Sequence, residues 1–176
     1  IDSLIISNAF EKEQTFNQIK NTLLSHNGLM IKNTNEFMIY YNFDSLSTPL
    51  NYNGAGAFYG IKNENNIICT TSTEKMDTSK EYIVSFWYYN YIWDQTFNTA
   101  VISESDSNGT NLQYLYYSPI ESNIIDGWWY LSEYKFKIKS EKSILTVFFH
   151  GDNYFEKWFA IDDFLIRPTD IDIYRF

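Results

Sequence analysis

Two acidic side chains stand next to each other near the end of the chain. They are Asp162-Asp163, set between the apolar runs Phe159-Ala-Ile161 and Phe164-Leu-Ile166. Neighbouring strand residues point to opposite faces, so one of the two carboxylates is expected to face inward or onto a sheet edge. A buried carboxylate is costly without a partner. Two chemistries answer that need. One is hydrogen bonding that caps a nearby loop. The other is a structural Ca²⁺, which takes several oxygen ligands from carboxylates and loop carbonyls. Glu11 and Glu13, which follow the apolar run Leu4-Ile-Ile6, are the natural further contributors to such a site.

The second chemistry belongs to rings. Tyr82-Ile-Val-Ser-Phe-Trp-Tyr-Tyr-Asn-Tyr-Ile-Trp93 has no Gly, no Pro and no charge, and is dense in aromatic and β-branched residues. That composition suits a strand with two occupied faces. Alternation puts Tyr82, Val84, Phe86 and Tyr88 on a core side and Ile83, Ser85, Trp87, Tyr89 and Tyr91 on the other. Trp and Tyr offer stiff apolar surface with a polar tip. Sugars present C–H patches that stack on such rings, and hydroxyls that need planar polar partners. The candidate glycan-binding set is therefore Trp87, Tyr89, Tyr91, Trp93, Gln113, Trp129 and Glu133. For each ring, packing between sheets is the alternative role, and Trp93 and Trp158, beside loops, either line a site or cap the sandwich. Trp128 and Phe148 are assigned to the core.

Catalysis finds little support. A glycosidase needs two carboxylates at a defined separation, and nothing in the sequence pairs Asp94, Glu104, Glu121 or Glu133. No Gly-x-Ser-x-Gly, His-Glu-x-x-His, Cys-x-x-Cys or phosphate-cradling Gly loop occurs. The two histidines, His26 and His150, lie far apart in sequence, and the single Cys69 reads as a small buried hydrophobe. The chain is expected not to be an enzyme. Asn108-Gly-Thr110 fits a glycosylation sequon and equally a turn.

The elements that must position these groups follow from composition and punctuation. At 176 residues the chain fits one domain, and 19% aromatic residues with only 7 Gly and 3 Pro mark it as globular. Its net charge of −9 disfavours nucleic acid and anionic membranes as partners, and suits a neutral ligand or Ca²⁺. With no transmembrane run and a start at Ile1, the expectation is one module, residues 1–176, of a larger secreted or cell-surface protein. Its partners would be a polysaccharide or oligosaccharide and the other domains of that protein. Residues 14–27 place Phe16, Ile19 and Leu23 at helical spacing, which predicts a short helix or a covering loop. Asn27-Gly28 is a turn signal, and 29–31 with 36–41 predict a hairpin. Residues 42–66 are loop-rich, interrupted by short strands expected near 57–61 and 66–71; further strands are expected near 82–93, 98–103, 113–117, 128–138, 143–150 and 158–167, with an edge strand after 169. Nine to eleven short strands with at most one helix imply an all-β fold: an antiparallel two-sheet β-sandwich of jelly-roll type.

Four segments also resemble a known family. Asn8-Ala-Phe-Glu11, Tyr82-Ile-Val-Ser-Phe-Trp-Tyr88, Gly127-Trp-Trp-Tyr130 and Phe159-Ala-Ile-Asp-Asp-Phe-Leu-Ile166 are similar, in order and spacing, to motifs of the β-jelly-roll carbohydrate-binding modules attached to polysaccharide-degrading enzymes. The resemblance implies a jelly roll with a structural calcium, held by Glu11 and one or both of Asp162 and Asp163. The segment after Glu11 departs from the family by lacking its usual Gly. The same architecture also serves bacterial surface proteins, so a structural or adhesive module is the alternative expectation.

Overall fold

The computed structural model describes residues 24–26, 29–31, 36–52, 54, 56–61, 65–90, 98–120, 129–151, 158–171 and 173–175. The strands are β1 Leu24–His26, β2 Leu29–Ile31, β3 Ile39–Tyr41, β4 Phe58–Ile61, β5 Asn65–Ser72 and β6 Tyr82–Asn90. They continue with β7 Asn98–Ser105, β8 Gln113–Pro119, β9 Trp129–Phe136, β10 Ile144–Gly151, β11 Trp158–Pro168 and β12 Ile173–Arg175. The one helical element among the described residues is a 3-10 turn at Asp44–Leu46.

Two antiparallel sheets make the sandwich. One has the order β5-β10-β7-β8; the other runs β3-β11-β6-β9, with β4 pairing β11 beside β3. From β5 to β11 the chain keeps switching sheets, so most contacts are long-range. The core forms where the inner faces meet. From β6 come Tyr82, Val84, Phe86 and Tyr88, as alternation predicts; β10 adds Leu145, Val147 and Phe149. Rings interlock across the gap: Phe86 meets Phe149 edge to face at 5.0 Å, and Phe149 meets Phe159 at 6.1 Å. Burying each such ring contributes roughly 1.5–3 kcal/mol, and edge-to-face geometry adds about 0.5–1.5 kcal/mol. Cys69 is fully buried in this core, as expected.

Three local expectations are corrected. The hairpin is β1 with β2, register His26↔Leu29, so the Asn27-Gly28 signal joins these two strands, whereas 29–31 and 36–41 belong to different sheets. Leu24–His26 is accordingly strand and not the end of a helix; the rest of 14–27 and the apolar run Leu4–Ile6 lie outside the described residues. Phe148 is half-buried on the outer face of its sheet, because Leu145, Val147 and Phe149 occupy the inward positions of β10. A third small sheet, β1-β2-β12, was not foreseen. Its Ile173 packs with Ile171 on Met38, Tyr40 and Leu165, covering one end of the outer face of the β6-containing sheet.

Candidate functional site

The β6–β9 register sets Ser85 opposite Glu133, Trp87 opposite Leu131 and Tyr89 opposite Trp129. Paired residues of an antiparallel ladder share a face. These side chains therefore form one patch on the outer side of the β6-containing sheet, opposite the core. On the other flank of β6, Asp162 pairs with Trp87 and Ala160 with Tyr89.

A loop lies over the patch. Tyr52 stacks on Trp87 with ring centroids 3.9 Å apart and planes at 21°, and sits 5.9 Å from Trp129. Tyr89 meets Trp129 at 5.3 Å and is buried with Ala57, Ala160, Leu50 and Tyr59. The loop is fastened at several points. Tyr59 Oη accepts the Leu50 N–H at 2.8 Å and donates to the Leu50 carbonyl at 2.9 Å. The Ala57 N–H donates to Thr48 Oγ1 at 2.7 Å. Gly54, at φ 72°, lies so close to Asp44 that a Cβ there would be 2.1 Å from its Oδ1. What remains accessible is Tyr52, 38% exposed, with half-buried Trp87, Trp129 and Leu131 beside it.

The acidic pair holds this loop in place. β11 bulges between Asp162 and Leu165, and Asp163 takes a left-handed conformation, φ 49°. The extra residue resets the alternation. Instead of facing opposite ways, as a regular strand requires, both carboxylates lie on the outer side, where they are fully buried. Asp162 Oδ2 accepts the Tyr52 N–H at 2.9 Å, and Asp162 Oδ1 accepts the Asp163 N–H at 2.8 Å. The Tyr40 hydroxyl donates to Asp163 Oδ1 at 2.7 Å. Burial, then the negative charge of Asp163 and its hydrogen bond, push the Tyr40 hydroxyl far above its ordinary value, so it stays a donor. Asp162 thus fixes the backbone that carries the ring stacked on Trp87.

Beside Leu131 and Glu133 a cleft of about 380 Å³ opens between the edge strands β8 and β9. Tyr116, Ser118, Pro119 and Tyr134 form its other walls. Tyr116 and Tyr134 lie 4.5 Å apart at 32° and bridge the two sheets. Rings on the outer face and a polar cleft around the edge of β9 are therefore adjacent, with Glu133 belonging to both.

This architecture has solved counterparts. Similar structures include carbohydrate-binding modules. One is the xylan-binding CBM22-1 domain of Paenibacillus barcinonensis Xyn10C, at 14% identity and TM-score 0.49, covering 85% of this chain and 96% of that one. Another is the C-terminal family 22 module of Clostridium thermocellum Xyn10B, at 11% identity and TM-score 0.49, covering 85% and 95%. The K3 cleaved adhesin domain of Lys-gingipain from Porphyromonas gingivalis W83 is also similar, at 10% identity and TM-score 0.42, covering 73% and 91%. No family model matches the sequence, and no curated protein matches it. What the chain binds has to come from its own side chains.

Of the residues singled out from sequence, the structure brings together Trp87, Tyr89, Trp129 and Glu133. Gln113 is elsewhere: its Oε1 accepts from Lys139 Nζ at 2.8 Å, beyond the far end of β9 from Trp129. Tyr91, Trp93, Trp128, Glu11 and Glu13 lie outside the described residues, as does the side chain of Trp158. Sequence reasoning missed Tyr52, Tyr116 and Tyr134. Tyr52 had a usable signal, being an aromatic residue between two asparagines in a Gly-rich loop. Tyr116 had none, because a bulge in β8 displaces it from simple alternation. For a metal, Asp162 and Asp163 offer hard oxygens on a shared face, which fits Ca²⁺ in kind. At least three of their four oxygens already accept protein hydrogen bonds. Among the described residues no group of three His, Cys, Asp or Glu side chains gathers as a metal site would need.

Proposed function

We propose that this chain is a non-catalytic module that binds a neutral glycan across Tyr52, Trp87 and Trp129, with Glu133 and the β8–β9 cleft receiving sugar hydroxyls. The observation that carries the reading is the anchored ring cluster beside a polar cleft. A sugar face would stack on Tyr52 and on the free edges of Trp87 and Trp129, while Glu133, Ser118 and Ser132 supply hydrogen-bonding groups around the cleft. The loop anchor on Asp162 holds Tyr52 in place before ligand arrives, which lowers the ordering cost of binding. No catalytic step is assigned, since among the described residues Glu133 is the one carboxylate lining that cleft. The module is read as secreted or surface-exposed and as part of a larger protein. Among the described residues no helix is long and apolar enough to cross a membrane.

The test is affinity electrophoresis and calorimetry against xylan, β-1,4-galactan and other neutral polysaccharides. Tyr52→Ala and Trp87→Ala are each expected to weaken binding about two- to tenfold, since ring stacking contributes on the order of 0.5–1.5 kcal/mol. Absence of binding to every polysaccharide by the intact protein would remove the reading.

Calcium enters the same proposal in restricted form. Asp162 and Asp163 would hold it together, with Glu11 or Glu13 as further ligands, and it would tie the start of the chain to β11. Chelation is then expected to lower the melting temperature by several degrees. An unchanged melting temperature after exhaustive chelation rules the metal out.

One observation favours the alternative, a structural or adhesive module. Tyr114, Tyr117 and Ile67 are 57%, 60% and 52% exposed on the outer face of the other sheet, apolar surface suited to a neighbouring domain.

A further inference from the structure

At the end of the sandwich away from Trp129, a second cavity of about 270 Å³ lies where the β7–β8 turn meets the segment after β9. Glu104 lines it and is only 6% exposed. Among the described residues its one hydrogen bond is from the Lys139 N–H to Oε2, at 2.8 Å, and none of them donates to Oε1. Oε1 is not sealed from solvent, so the cavity presents it as an open acceptor. Other groups around the cavity also have hydrogen-bonding capacity to spare. Lys139 Nζ spends one donor on Gln113 Oε1, and among the described residues Lys142 Nζ makes no ion pair. Asn111 commits its Nδ2 to Asp106 Oδ2, leaving its carbonyl oxygen open. The Ser105 hydroxyl completes the ring.

We infer that this cavity is a binding site for a small neutral polyhydroxylated ligand, one sugar unit in size, with Glu104 Oε1 accepting from a ligand hydroxyl. Charge selects the class. Glu104 and Asp106 balance Lys139 and Lys142, so the walls sum to zero and favour no net charge in the ligand. Two ammonium groups at the wall oppose a metal cation. Two carboxylates oppose an anion. The mixture of acceptors (Glu104, Asn111) and donors (Lys139, Lys142) suits hydroxyls, which serve in both roles. The volume sits just below the range of pockets that hold drug-sized ligands, roughly 300–1,000 Å³, which limits the ligand to about one ring. Unlike the Tyr52–Trp87 patch, this cavity has no aromatic wall among the described residues, so it would hold a sugar chiefly by hydrogen bonds and weakly. The inference does not depend on the aromatic face.

The experiment is a ¹H–¹⁵N NMR titration of the intact protein with D-xylose, D-glucose and D-galactose, and separately with glycine and inorganic phosphate. Saturable shifts at the amides of Asn111, Gln113 and Lys139 are expected with at least one sugar. Glu104→Gln should weaken that binding about tenfold while keeping an oxygen for the Lys139 N–H, and the exposed Lys142→Met should weaken it severalfold. Trp87→Ala should leave these shifts unchanged, which separates the cavity from the aromatic face. No shift with any sugar, tighter binding of glycine or phosphate than of sugars, or unchanged affinity in both cavity variants would each overturn the assignment. Should Glu104→Gln fail to fold, Lys142→Met decides alone.

Discussion

Tyr40 and Asp163 carry the residue-scale lesson. Type and order of residues were enough to mark Asp162-Asp163 as needing partners, because two carboxylates inside an apolar run cannot go unsatisfied. Which partners they find depends on folding: a backbone N–H of residue 52 and a hydroxyl of residue 40 are far away in sequence and leave no local trace. The hydrogen bond from Tyr40 to Asp163 supports a prediction with a sign. Tyr40 is pushed far above its ordinary value of 10.0, chiefly by burial and then by Asp163. Its contribution to stability is complete below pH 10, where it is protonated in both folded and unfolded chains. Above pH 10 the unfolded chain releases the proton and the folded one does not, so stability falls by about 1.4 kcal/mol per pH unit. Tyr40→Phe removes a donor to a buried carboxylate and is expected to cost about 1.5–3 kcal/mol at neutral pH. It should also flatten the alkaline slope. Urea unfolding of both proteins from pH 8 to pH 11 checks it; parallel slopes would show that Tyr40 is not the titrating group.

At the scale of elements, strands were legible and their irregularities were not. Aromatic and β-branched runs bounded by turn signals located β4 to β11 closely, since composition and period act locally. Bulges escaped notice because a single left-handed residue such as Asp163 has no distinctive neighbours in sequence, yet it inverts every facing that follows it. The pairing of 29–31 is not legible for a related reason: a turn signal says where a chain reverses, not which strands it joins. Close approach is similarly silent. Gly60 on β4 faces Phe159 on β11, and a Cβ there would lie 2.1 Å from Phe159 Cζ. Phe159 is fully buried against Tyr88 and Phe149, so its ring has no room to retreat. Gly60→Ala is expected to destabilise by about 1–3 kcal/mol through overpacking. Thermal unfolding measures this, and Gly109→Ala is an informative comparison: a Cβ at Gly109 meets nothing within 4 Å, so its cost is only that of φ 79°. Equal losses in the two variants would mean that the β4–β11 contact yields easily.

For the molecule as a whole, the sequence conveyed the class of fold and the sign of its charge, while the arrangement of rings had to come from tertiary structure. Period alone places Trp87 and Tyr89 on the non-core face. That one of them would lie half-covered by Tyr52 and the other be buried follows from a loop whose path no local rule dictates. The charge bears on what this face accepts. A chain of net charge −9 attracts or repels charged partners over distances that salt screens, with a Debye length of about 10 Å at 0.1 M and 3 Å at 1 M. A neutral glycan stacked on Tyr52, Trp87 and Trp129 has no charge for this field to act on. Its affinity is expected to change less than twofold between about 0.05 and 0.5 M NaCl. A protein partner docking on the same chain would meet the full field, and its association rate would shift severalfold over that range. Calorimetric titration with the polysaccharide that binds, repeated across the salt series, separates the two readings. A marked fall or rise in affinity with salt would point to a charged partner and away from sugar stacking.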